Sequence, residues 1–277
     1  MTAGWWRVRI ECADGDRDAI AAAMVALTGQ GVEEIDAHTL ATAAEDELGA
    51  TELIASLQQA FPGAVASTTQ LAPVDWTLRW RDGIVTRRLG RLVLTPSWLP
   101  VSAAVGEAVI TIDPESAFGS GEHGSTRGAL ALLERHVRTG DAVLDLGSGS
   151  GILAIAAVLL GARHAIGIEV DEESQPIAHA NARKNGVADR VTFVTGDAGV
   201  IAPLAGPANI ICSNILRNVN TELLPAIAAA LTPGGHAIFA GMEDAESAEF
   251  LPALAQHGWT VVDTARDAGW WSVAARQ

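Results

Sequence analysis

Gly147, Gly149 and Gly151 stand two apart, and an acid, Glu169, follows twenty-two residues after the first of them. Glycine lets a chain turn sharply and lets backbone amides approach a ligand with no Cβ in the way. An acid at the end of the next strand can accept hydrogen bonds from both ribose hydroxyls of a nucleoside. The elements that must hold these residues surround them. Residues 143–146 (Val-Leu-Asp-Leu) form a short apolar run suited to a buried parallel strand. Residues 152–160 make an alanine- and leucine-rich helix that Gly161 is placed to end. Residues 165–170 make a second strand, which delivers Glu169. Strand, glycine loop, helix and strand together point to a nucleoside-containing ligand. The dinucleotide fingerprint is not met, because the third glycine comes one residue early and Ile152 stands where the late glycine belongs. No Gly-Lys-Ser/Thr follows, which excludes a triphosphate loop.

The loop is more similar to that of S-adenosylmethionine-dependent methyltransferases. That cofactor has no phosphate; its methionine carboxylate is the anion that would sit near the helix N-terminus and the loop amides. On this stretch alone, another nucleotide-binding βαβ unit stays open. In a parallel sheet, ligands bind beyond the carboxyl ends of the strands, where the winding reverses. The third such end carries Asp197, which can accept an adenine amino group, cap the helix over 198–204, or do both. The fourth carries Asn214. A carboxamide there, at the mouth of the site, can accept a hydrogen from an attacking amine and aim its lone pair at a methyl carbon; a turn asparagine is the plainer reading. Ahead of the core, residues 113–126 form a glycine-rich polar loop with one aromatic, Phe118, feeding into a helix. Such a loop can cover the cofactor and bring Thr126 to its carboxylate or to a loop amide. His123 lies in this loop and is not assigned as a base.

Composition narrows the class. The chain has 277 residues, 49% of them hydrophobic, ample for one large domain and a smaller one. The longest apolar helix is too short to cross a bilayer, and residues 19–27 follow Asp14, Asp16 and Asp18 as a capped helix rather than an export signal. No membrane partner and a cytoplasmic location are therefore expected. Cys12 and Cys212 lie far apart with no metal-ligand neighbours at the usual spacing, so no metal site is expected. The net charge of −15 is the reverse of a duplex binder's and could steer a basic substrate. Arg79, Arg81, Arg87, Arg88 and Arg91 cluster among Trp76, Trp80 and Trp98. They suit either a weak RNA contact or a protected strand edge.

In chain order, residues 1–70 read β-α-β-β-α-β, a smaller ferredoxin-like α+β domain expected to recognise substrate. Residues 71–108 read as an extended connector with one strand over 88–94. Residues 109–277 alternate strands with helices, which implies an α/β doubly wound, mostly parallel sheet covered on both faces. Its last two strands are joined by Asp267-Ala268-Gly269 as an antiparallel hairpin. That is the class I methyltransferase arrangement.

Three segments make the resemblance specific: Ala-Phe-Gly-Ser-Gly-Glu-His-Gly-Ser-Thr over 117–126, Leu-Asp-Leu-Gly-Ser-Gly-Ser-Gly from 144, and Ser-Asn-Ile-Leu from 213. The chain resembles the bacterial ribosomal protein L11 methyltransferase family over nearly its whole length, strongest over 114–216 and weakest before Pro73. The resemblance implies methyl transfer from S-adenosyl-L-methionine to amino groups of a ribosomal protein of the large-subunit stalk base. It places cofactor contacts on Thr126, Gly147, Glu169 and Asn214, to which the loop adds Gly149 and Gly151 and the third strand Asp197. It also shows departures. The family pattern has proline and threonine where Gly124 and Ser125 stand, threonine at Ser120, aspartate at Glu169 and often alanine at Arg217. A related methyltransferase acting on another protein lysine or a small amine is the alternative; a dinucleotide-dependent oxidoreductase and a non-catalytic binding module are the others.

Overall fold

In a computed structural model, residues 5–12, 15–71, 84–113, 115 and 117–277 are described. The chain divides into two compact units, Met1–Arg79 and Trp80–Gln277.

The first unit runs β1 (Trp6–Glu11), α1 (Arg17–Thr28), β2 (Glu33–Glu34), β3 (Thr39–Ala44), α2 (Glu47–Ala60) and β4 (Val65–Gln70). Its antiparallel sheet has the order β2-β3-β1-β4, that of a ferredoxin-like sandwich. The Asp46 side chain starts α2 by accepting from Gly49 N at 2.7 Å. Val8, Ile10 and Leu40 of the sheet pack on Ile20 and Met24 of α1 and on Leu53 and Leu57 of α2.

The second unit opens with β5 (Arg87–Leu89), β6 (Leu92–Thr95) and β7 (Ala108–Thr111). The single strand expected over 88–94 is instead a hairpin. Gly90 breaks it with φ of 55°, and β5 folds back on β6. β7 then pairs parallel to β6. This stretch thus forms a small sheet of its own within the second unit rather than an extended tether.

The main sheet contains β8 (Ala142–Leu146), β9 (His164–Glu169), β10 (Val191–Thr195), β11 (Ala208–Asn214), β12 (Leu231–Glu243), β13 (Thr260–Asp267) and β14 (Trp270–Arg276). Their order is β10-β9-β8-β11-β12-β14-β13, with β14 antiparallel to both neighbours. Neighbouring strand residues point to opposite faces, and both faces are apolar, so each face needs a helical layer. Val143, Ile210 and Ile238 face α3 (Gly124–His136), α4 (Ile152–Leu159) and α5 (Ser174–Lys184). Leu144, Ile211 and Phe239 face α6 (Ala198–Ala205), α7 (Arg217–Ala230) and α8 (Ser247–Gln256). α4 is apolar all round because it is buried all round. β12 begins before the Pro-Gly-Gly of 233–235. Here Leu231 already pairs with Ala208, and the register shifts before His236 meets Ile210. Among the described residues, no helix is long and apolar enough to cross a membrane.

Candidate active site

The strand order reverses between β8 and β11, which pair in parallel with Leu146 beside Ser213. The glycine loop after β8 and Asn214 at the end of β11 therefore open side by side at the switch point. A cavity of about 720 Å³ lies there. Gly147, Gly149, Glu169, Asp197 and Asn214 all line it. Gly151 and Thr126 do not; they stand behind the wall.

The loop is fixed from several sides. Gly147 N and Ser148 N donate to Ile168 O at 2.8 and 3.2 Å. Ser150 N donates to Phe118 O at 2.9 Å, and its hydroxyl to Gly119 O at 2.7 Å. Gly149 has φ of 48°, and a Cβ on it would fall 2.6 Å from Phe118 O. Gly151 has φ of 81°, and a Cβ there would strike the Phe193 ring at 2.6 Å. The positive φ and the Phe193 ring require glycine at 151.

Glu169 reaches across from β9. Its carboxylate accepts Gly149 N at 2.9 Å, Val170 N at 2.8 Å and Asp171 N at 3.1 Å. Asp197 caps α6 through Gly199 N at 2.7 Å and still lines the cavity. The Asn214 amide donates to Thr126 Oγ1 at 3.3 Å, while its Oδ1 is buried with no partner. An unpartnered buried acceptor costs free energy, on the order of 1–3 kcal/mol, and this residue lines the cavity, where a ligand can supply the missing donor.

Beneath the loop lies Asp145, wholly buried, with one oxygen accepting Ala154 N at 3.0 Å and the other unpaired. Burial pushes its carboxyl up to about 7, and the Glu169 charge pushes the same way. Its residue type is plain in the sequence, but its burial is not, so sequence reasoning passed over it.

Thr111 and Asp113, where the loop leaves β7, are clamped by α5, a role the sequence reading missed. Asn181 accepts Asp113 N at 3.1 Å and donates to Asp113 O and Ser150 O. Asn185 both donates to and accepts from Thr111. Burial opposes ionisation of Asp113, yet Lys184 and Ser97 hold its carboxyl below the usual range. Two asparagines four apart with a lysine between them were the available signal.

Phe118, His123 and Trp270 add an aromatic wall. The His123 ring lies 4.1 Å from Trp270 and 5.3 Å from Phe118, centroid to centroid. Its Nδ1 is 2.7 Å from Ser125 Oγ. Burial, then the Arg127 charge, holds His123 below the usual range, so it adds no positive charge to the cavity at pH 7. Among the described residues, no group of three or more His, Cys, Asp or Glu could hold a metal ion.

The family model described as ribosomal protein L11 methyltransferase (PrmA) matches residues 32–277. The chain belongs to that family. A ribosomal protein L11 methyltransferase of Pelotomaculum thermopropionicum is 37% identical over 228 residues, 81% of this chain and 73% of that one. One of Geobacter metallireducens is 33% identical over 299 aligned positions, 98% of this chain and 97% of that one. The solved structure of a ribosomal protein L11 methylase from Lactobacillus delbrueckii subsp. bulgaricus is similar with a TM-score of 0.63 at 29% identity, covering 69% of this chain and 98% of that chain.

Within the family frame, the departures acquire physical readings. A Cβ on Gly124 would lie 2.4 Å from Asp267 O, so the β13–β14 turn leaves no room for the expected proline. Ser125 keeps a hydroxyl for His123. Arg217 is tied down by Glu246 at 3.3 Å and Glu249 at 3.1 Å. In the basic stretch, Arg87 pairs with Glu122, Arg88 with Glu107 and Arg91 with Glu134; Arg79 and Arg81 lie outside the described residues.

Proposed function

We propose that this chain transfers a methyl group from S-adenosylmethionine to amino groups of ribosomal protein L11. The observation that carries the reading is Asn214 Oδ1, a buried acceptor without a partner, beside a glycine loop and across from an acid. The cavity's chemistry fits the cofactor. Glu169 supplies a carboxylate for ribose hydroxyls, Asp197 an acceptor for an adenine amino group, and Ile168 and Val170 an apolar side for a base. Gly147 and Gly149 admit the ligand to the loop backbone, and Thr126 holds Asn214 from behind.

When bound, the cofactor supplies a methyl carbon activated by positive sulfur. The residues of the chain then have alignment as their main task. Asn214 Oδ1 accepts a hydrogen of the incoming amine and so points the nitrogen lone pair. A lysine amine, with a reference pKa of about 10.4, must shed its proton first, and a low-dielectric wall beside a cation favours that loss. Neutral His123 leaves that wall uncharged.

The first unit serves as the recognition domain in this reading, and its acidity suits a basic acceptor. The acceptor in this reading is the large-subunit stalk-base protein, met in the cytoplasm. An RNA contact through the 79–91 stretch would have to draw on Arg79 and Arg81, since Arg87, Arg88 and Arg91 already meet carboxylates. The test is transfer of labelled methyl to purified L11, with total ribosomal protein and a cell extract in parallel. Label on L11 is expected; label confined to other acceptors overturns the substrate and keeps the chemistry.

A further inference from the structure

The net charge is unevenly placed. Residues 1–79 carry four arginines against twelve carboxylates, a net of −8 out of the chain's −15. Within this unit the described arginines are all used near the sheet: Arg7 pairs with Glu33, Arg9 with Glu11 and Arg17 with Glu34. None pairs with the carboxylates of the place where the end of α1, the end of β3 and the start of α2 meet. A groove of about 430 Å³ opens there. Its apolar surface comes from Leu27, Leu48 and Leu53, of which Leu27 is 55% and Leu48 67% exposed. Its rim carries Glu45, Asp46 and Glu52. Among the described residues, Glu45, Glu47 and Glu52 form no ion pair.

We infer that this groove docks a basic segment of the acceptor protein, one that sets an apolar side chain between Leu27 and Leu48 and lysine or arginine against Glu45 and Glu52. The inference rests on the proposed methylation of a ribosomal protein and names the surface that would select it. Charge complementarity chooses the occupant. Proteins that bind ribosomal RNA carry surplus positive charge, since phosphate contacts dominate such binding. A second copy of this acidic unit or a nucleic acid would be repelled by the same rim. Two large exposed leucines in one concave place are what a partner's apolar anchor needs, and unpaired carboxylates around it give orientation and on-rate.

The test uses the full-length protein with Glu45→Lys/Glu52→Lys and, separately, Leu48→Ser. Both alter exposed side chains. An Asp189→Lys control reverses one exposed acid of the second unit, and Glu52→Lys alone gives the reversal of equal charge in the first. Binding of L11 is measured directly at two salt concentrations, together with steady-state methyl transfer and the Kd for S-adenosylhomocysteine. The double variant is expected to raise KM for L11 at least tenfold, to flatten its salt dependence, and to leave kcat and the S-adenosylhomocysteine Kd within twofold. Leu48→Ser should raise KM severalfold without changing the salt slope. Unchanged L11 binding in both variants, with wild-type enzyme active on L11, overturns the groove and leaves the activity standing. If the enzyme instead labels another basic protein and the variants raise KM for that acceptor, the groove stands and the L11 assignment falls.

Discussion

The glycines around the cavity of the second unit and the turn glycines of the first meet different surroundings. In the second unit a Cβ on Gly147, Gly149, Gly151 or Gly241 would fall under 3 Å from a named atom of another segment. In the first, Gly15, Gly29 and Gly31 have nothing within 4 Å. The same contrast appears in the sheets: β8 is buried along its whole length, while β4 is mostly exposed. One unit is determined by close approach of segments far apart in the chain, and the other by a small core under a tolerant surface. The family model takes in the whole second unit and the part of the first from residue 32 on, after β1 and α1.

The largest expected effect that would break this contrast is at Asn214. Asn214→Ala should lower kcat by about 10² to 10³, the range for a single positioned polar group at a reacting centre. The Kd for S-adenosylhomocysteine should move less than fivefold, roughly 1 kcal/mol. Equal losses in both would remove its aligning role. Asp145 comes next. Its carboxyl keeps its proton in the fold up to about pH 7, whereas the reference value is 3.8. The stability this gives is complete below pH 4 and is lost as pH rises through 7. Between pH 5 and 8 the loss is roughly 2–3 kcal/mol. Asp145→Asn cannot ionise and still offers an oxygen to Ala154 N, so its stability should fall less over that interval. Denaturant unfolding at pH 5, 6, 7 and 8 gives the two slopes, and parallel slopes would refute the neutral buried carboxyl. Gly149→Ala should destabilise by about 1–3 kcal/mol through its positive φ and the Phe118 carbonyl, and should weaken S-adenosylhomocysteine binding at least tenfold. Gly29→Ala in the first unit, strained in φ but not crowded, should leave that affinity unchanged.

What the residues disclosed and what they withheld divide along similar lines. The β-α-β-β-α-β order of the first unit and the acid–glycine constellation are local patterns, and local patterns can be read from spacing. The break at Gly90 was missed because an isolated glycine in an apolar run has no visible partner until β5 folds onto β6. The aromatic wall needed Phe118 and Trp270, which lie 152 positions apart, to meet around His123. The clamp by Asn181 and Asn185 needed α5 to pass the end of β7. The Asp145–Cys212 pairing that buries an acid beneath the loop is a register fact, and no run of types along one strand encodes the register of its neighbour.

The smallest effect sharpens the contrast at its border. Arg217, one of the departures that the resemblance implies, stands at the first turn of α7, next to Leu216 of the cavity wall. Its guanidinium is held by Glu246 and Glu249, on the segment that follows β12. These pairs are partly exposed, and exposed pairs contribute between 0 and about 1 kcal/mol. Arg217→Ala should therefore shift the unfolding free energy by less than about 1 kcal/mol and leave kcat within twofold. It also frees two carboxylates near the mouth. If the acceptor is a basic protein, those carboxylates can only help it approach, so KM for L11 should stay level or fall by up to about threefold, more at low salt than at high. A rise in KM would mean that Arg217 itself touches the acceptor, and selection would then extend from the first unit into the wall of the reaction site.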